Sequence, residues 1–287
     1  MFKLRPWIEE DRLYNTMLCE NPNAIQYLEA NPERILWSIL SENPEAISLL
    51  SENLDNVDWY RMSSNPGAVG ILERNPDKIF WKPLCLNPAA IHLLEANPEN
   101  IYWHELSSNP AAIHLLEANP ENIYWEPLSA NPAAIHLLER NLEMVDWRYL
   151  SMNPGAIPLL EKHIDKVQWI NLSANPAAAP ILKRFPEKIK WAQIVQNEGA
   201  LSLIETIDFT DPYNQLLYRK MCQNPAAIRL IEQFDDLSLF YSSLSKNPNI
   251  FDYDYEGMKQ ERAGLIEEIM QNRFHPNNID KFELWGF

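Results

Sequence analysis

The stretch NPAAIHLLEANPENIYW runs from Asn87 to Trp103, and the same seventeen residues return unchanged from Asn109 to Trp125. A catalytic site is made once, whereas a copied segment is a building unit or a binding rung. Working outward, Asn-Pro recurs at 21, 43, 65, 87, 109, 131, 153 and 175, always 22 residues apart. Asn197 keeps the period with Glu198 in place of proline, and Asn224 and Asn247 follow after steps of 27 and 23. Trp37, Trp59, Trp81, Trp103, Trp125, Trp147, Trp169 and Trp191 keep the same beat, and Tyr218 and Tyr241 fill that place in the late units.

Numbered from the leading Asn, the unit reads N-P-x-A-I-x-L-L-E-x-N-P-[ED]-x-[IV]-x-W-x-x-L-S-x. Apolar positions 4, 5, 7, 8, 15, 17 and 20 are spaced for helices, not for strands of period two. Asn caps a helix, proline suits its first position, and the residue before proline is pushed out of the α region. The second Asn-Pro, at positions 11 and 12, reads as the same device, followed by an acid at position 13 that suits the positive end of a helix dipole. Each unit therefore predicts two short helices, A and B. Pro158 and Pro180 at position 6, and Pro83 and Pro127 at position 19, predict that helix A begins late and that helix B is kinked or split into a 3₁₀ turn and an α turn.

One such unit cannot bury its own apolar face, so neighbours must stack. The expected fold is all-α, an α-solenoid of about ten two-helix repeats with a buried tryptophan column, capped at both ends. Residues 1–20 form the expected N-terminal cap, 21–250 the array with an irregular unit at 197–223, and 251–287 a C-terminal helical cap closed by Phe282, Leu284, Trp285 and Phe287. A 22-residue period also fits leucine-rich repeats, but their L-x-L strand pattern is missing.

The run LSxNPxAIxLLE resembles leucine-rich-variant repeats, short solenoids that alternate α and 3₁₀ helices. The full unit, together with the ending NRFHPNNIDKFELWGF, more closely resembles tandem-repeat proteins of giant double-stranded DNA viruses. That resemblance implies a viral origin and a place in the host cytoplasm or the virion, and it brings no catalytic residues.

The formal net charge of −16 argues against a phosphate-binding surface, so no nucleic-acid partner is expected. No apolar run is long enough to cross a membrane and no signal peptide is evident, so an intracellular protein is expected. Cys19, Cys85 and Cys222 sit two residues before a leading Asn, where most units have Ser, and read as small packed residues. His92, His114 and His136 share position 6; rungs about 8–10 Å apart cannot gather them on one metal. The glutamates at position 9 repeat without a distinct acid and base. No enzyme chemistry, cofactor or metal is therefore expected.

Position 16 varies and reads as outward-facing, and three successive units place aromatics there: Phe80, Tyr102 and Tyr124. From 83 through 139 there is no Lys or Arg and there are seven Glu, whereas 140–190 holds eight Lys or Arg against five acids. The expectation is a non-enzymatic scaffold that binds a protein or peptide, basic in character, through Phe80, Tyr102 and Tyr124 with the histidine stripe His92, His114 and His136. The alternative is a structural virion or assembly component whose partner is a copy of itself or a capsid protein.

Overall fold

The structure, a computed structural model, describes residues 2–209, 214–234 and 236–273. It is an all-α solenoid of short helices. The unit at Asn109 shows the plan: a 3₁₀ turn Pro110–Ala112, helix A Ile113–Ala118, a second 3₁₀ turn Pro120–Asn122, and helix B Trp125–Ser129. Asn109 is extended, its side chain accepts the N–H of Ala111, and proline follows at the first position of the turn. This geometry resolves the disturbing prolines. Pro158 and Pro180 are the second residues of Ile157–Lys162 and Ala179–Arg184, and Pro83 and Pro127 the third residues of Trp81–Leu84 and Trp125–Ser129. In the first turn of a helix an N–H has no helical partner to lose.

Two sequence-based expectations need correction. The second Asn does not cap the 3₁₀ turn after it. Asn31, Asn53, Asn75, Asn97, Asn119 and Asn141 instead turn back, and each Nδ2 donates at 2.8 Å to the carbonyl four residues earlier, closing the end of helix A. The tryptophans are not a fully buried column. They open helix B half-buried against the core, and Trp191 is 38% exposed. Trp147 and Trp169 pack on His163 and Phe185 of the following units. The buried axis is built from smaller residues: Ala112, Leu116 and Leu128 in one unit, repeated as Ala134, Leu138 and Leu150 in the next.

Neighbouring units are joined by two buried polar ladders. In the first, Asn131 Nδ2 donates to the carbonyls of Ser107 and Asn109, at 3.1 and 3.0 Å, while its Oδ1 accepts from Ala133 N–H. The leading asparagines repeat this from rung to rung, and Asn197 does so without its proline. The ladder also crosses the irregular unit: Asn224 Nδ2 donates to the carbonyls of Val195 and Asn197. In the second ladder the Ser hydroxyl at position 21 donates to the Trp carbonyl of its own unit and accepts the position-16 N–H of the next, as Ser107 does from Tyr124. Cys19 and Cys85 take this place, their Sγ atoms 3.3 Å from the N–H groups of Leu36 and Tyr102. Burial raises both thiols above their ordinary pKa and pushes Cys222 up to about 12. All three are thus packed serine substitutes, as the sequence suggested, and poor nucleophiles.

The array closes on itself. Asn21 Nδ2 donates to the carbonyls of Ser245 and Asn247, at 3.2 and 3.0 Å, as any rung does to the one before it. Tyr14 N–H donates to Ser245 Oγ, so Tyr14 holds the position-16 role and Asn15–Glu20 supplies a helix B. Strand β1 (Phe2–Leu4) pairs antiparallel with β2 (Phe251–Tyr253), in the register Phe2 to Tyr253 and Leu4 to Phe251. Glu9 N–H donates to Tyr241 Oη, and Lys246 pairs with Glu20 at 2.7 Å. Residues 2–20 therefore cover the Asn21 end and the Asn247 end together, and the last rung is split between the two ends of the chain. A single helix, Tyr255–Arg273, follows β2. The expected closing residues Phe282, Leu284, Trp285 and Phe287 lie outside the described residues. Neighbours approach most closely through the first 3₁₀ turn and helix B, which puts helix A on the wider circumference.

Candidate functional site

Position 16 is the N-cap of helix B. Asp58 and Asp146 use it as such: Asp58 Oδ1 accepts from Tyr60 and Arg61 N–H, and Asp146 Oδ1 from Arg148 and Tyr149 N–H. The side-chain bond to Arg148, with the backbone bonds adding to it, lowers the pKa of Asp146. Phe80, Tyr102 and Tyr124 hold the same position with no capping hydrogen bond. An aromatic there gives up a cap ordinarily worth about 0.5–2 kcal/mol. Their side chains are 47, 49 and 51% exposed, while their backbone N–H groups are pinned to Ser63, Cys85 and Ser107 of the preceding units. The result is three large rings on a fixed backbone, offered to solvent.

Further residues join them. Tyr60, 50% exposed, meets Phe80 edge to face at 5.6 Å, and His104 meets Tyr124 at 5.3 Å. Position 18 of one unit thus touches position 16 of the next at Tyr60–Phe80 and at His104–Tyr124, while Lys82 holds position 18 between Phe80 and Tyr102. At its Tyr60 end lies a groove of about 400 Å³ lined by Glu42, Arg61, Lys82, Leu86 and Glu105. Arg61 is paired with Glu42 at 3.0 Å and Lys82 with Glu105 at 3.3 Å, so the cations near the stripe are already neutralised. Each aromatic is preceded three residues earlier by an exposed acid: Asp77, Glu99 and Glu121. Sequence reasoning missed Tyr60 and His104. The signal available was their common position 18, adjacent on helix B to the next unit's position 16.

The predicted histidines lie elsewhere. His92, His114 and His136 are on helix A, and their Nε2 atoms sit 2.8, 2.7 and 2.9 Å from Glu73, Glu95 and Glu117 of the preceding units. In the next two units proline takes position 6, and Lys162 and Arg184 at position 10 reach Glu139 and Glu161 instead. A side-chain nitrogen beside the previous rung's Glu is what this series maintains. The histidines are thus rung-to-rung links on helix A, apart from the aromatics at the start of helix B. Among the described residues no group of three His, Cys, Asp or Glu could hold a metal ion, and no helix is long and apolar enough to cross a membrane. No protein-family model, curated protein or solved structure matches this chain.

Proposed function

We propose that the protein is a non-enzymatic docking scaffold whose aromatic stripe, Tyr60, Phe80, Tyr102 and Tyr124, binds a basic segment of another protein. The observation that carries this reading is the forgone cap. Asp58 and Asp146 show that the fold accepts a stabilising residue at position 16, yet three successive units hold exposed rings there. Large rigid aromatics are effective interface anchors. The acids of 83–139, with no Lys or Arg among them, would steer a cationic partner onto the stripe.

The two roles of position 16 separate in one variant. Tyr102→Asp with Tyr124→Asp is expected to stabilise the fold by about 0.5–2 kcal/mol per restored cap, read from the urea midpoint. The same variant is expected to lose enrichment of Lys- and Arg-containing peptides from a displayed library, although it adds negative charge. Undiminished enrichment by a well-folded variant would remove the stripe from the binding surface.

The second reading, a virion or assembly component that joins copies of itself or a capsid protein, rests on the giant-virus resemblance. The occupied ends weigh against it, because the natural joint between two arrays is already filled by the chain itself. Mass spectrometry of purified particles separates the two; abundance there would favour assembly.

A further inference from the structure

We propose that the segment bound by the stripe is a polyproline II helix carrying Lys or Arg at every third residue. This rests on the docking reading above and specifies its partner. The stripe is periodic: Asp77 with Phe80, Glu99 with Tyr102 and Glu121 with Tyr124 repeat one acid and one ring per rung, at the same unit positions. Two of these rungs belong to the identical stretches 87–103 and 109–125. A surface that repeats one contact is matched best by a ligand that repeats its complement at the same interval.

The interval selects the ligand's backbone. Helices B of neighbouring units are packed, which sets rungs about 8–10 Å apart. In a β-strand, side chains on one face recur every second residue, about 6.6–6.8 Å, and fall out of step within two rungs. A polyproline II helix has three residues per turn and rises about 3.1 Å per residue, so one face recurs about every 9.3 Å. That repeat falls within the range of about 8–10 Å for packed helices, whereas the strand's repeat falls below it. Its cations would meet Glu99 and Glu121, Asp77 being already paired with Lys78 at 3.4 Å, and the faces of the tyrosines, where a cation within about 6 Å is attracted by the ring. Its prolines would stack on the same rings, the usual contact between such helices and aromatic-lined surfaces. The preset backbone of the ligand also reduces the entropy lost on binding.

The test is fluorescence anisotropy on the full chain with three labelled peptides: four repeats of Pro-Pro-Lys, the same composition permuted so that lysines fall at irregular intervals, and four repeats of Pro-Pro-Glu. The periodic cationic peptide is expected to bind about tenfold more tightly than the permuted one, to weaken in high salt, and to lose binding to the Tyr102→Asp, Tyr124→Asp variant. The acidic peptide is expected not to bind. Equal affinity for the periodic and permuted peptides overturns the register while leaving a basic docking surface. Binding of the periodic peptide that survives in the variant overturns the stripe itself. Failure of all three peptides, while the library still yields basic sequences, overturns the polyproline II backbone.

Discussion

Replacing Asn131 by alanine is expected to lower unfolding stability by about 3–5 kcal/mol, one of the largest effects of any single side chain here. The substitution removes two buried hydrogen bonds and one partly buried one at once. It leaves the carbonyls of Ser107 and Asn109 and the N–H of Ala133 without their partner, in a site where Asn131 is fully buried. The bonds to the two carbonyls are buried, so the desolvation of those carbonyls stays uncompensated. Asn131→Asp separates the two halves of the device. Its oxygen can still accept from Ala133, but an acceptor now faces two carbonyls. Burial and that contact raise the folded carboxyl above its unfolded pKa of about 3.9. The native state then binds more protons, so stability is lost as pH rises and regained as pH falls. Urea midpoints measured against Asn131→Ala across pH 3 to 7 check this. A carboxylate variant as stable as the wild type at pH 7 would refute the donor role.

Removing residues 2–20 is expected to have a comparable effect, and to have it at both ends of the array. Leu13, Leu18 and Ile8 leave the core, each worth about 1.5–3 kcal/mol when buried. With them go the β1–β2 pairing and the bonds to Tyr241, Ser245 Oγ and Ile250. In an open solenoid the damage would begin at Asn21 and fade along the chain. In the closed one, hydrogen exchange is expected to quicken around Asn224 and Asn247 as well as around Asn21, and a synthetic 2–20 peptide added in trans is expected to restore protection. Exchange that changes only near Asn21 would show that the closure contributes nothing.

Much of the unit was legible because it is local. The 22-residue beat, the Asn-Pro start, the late helix A and the equivalence of Cys19 and Cys85 with serine all follow from chain chemistry within one or two units. The second Asn misled because Asn closes helices as well as opening them, and only the backbone of Asn119, with φ −135° and ψ 61°, distinguishes the two. The tryptophans misled because a large ring at the first position of a helix sits at the edge of a core whose centre is Ala, Leu, Asn and Ser. The closure was invisible because it depends on the rotation between units, a sum of small angles that no single repeat encodes. A trace of it was present: Tyr14, Leu18 and Cys19 stand before Asn21 in the register of positions 16, 20 and 21. At the candidate site the exposed rings were legible as variable positions; the cap they displace was not, since it requires knowing where helix B begins.

The joined ends also constrain how such a chain can change over generations. An open stack of repeats can gain or lose a copy and merely become longer or shorter. Here a gained or lost copy would leave Asn21 out of step with Ser245 and Asn247, so the number of units is held while their spelling is free. The identical stretches 87–103 and 109–125 are then better read as one copy overwriting its neighbour than as growth of the array. A surface spread across those rungs would inherit the same rule: it can be made more uniform by such overwriting, but it cannot be made longer.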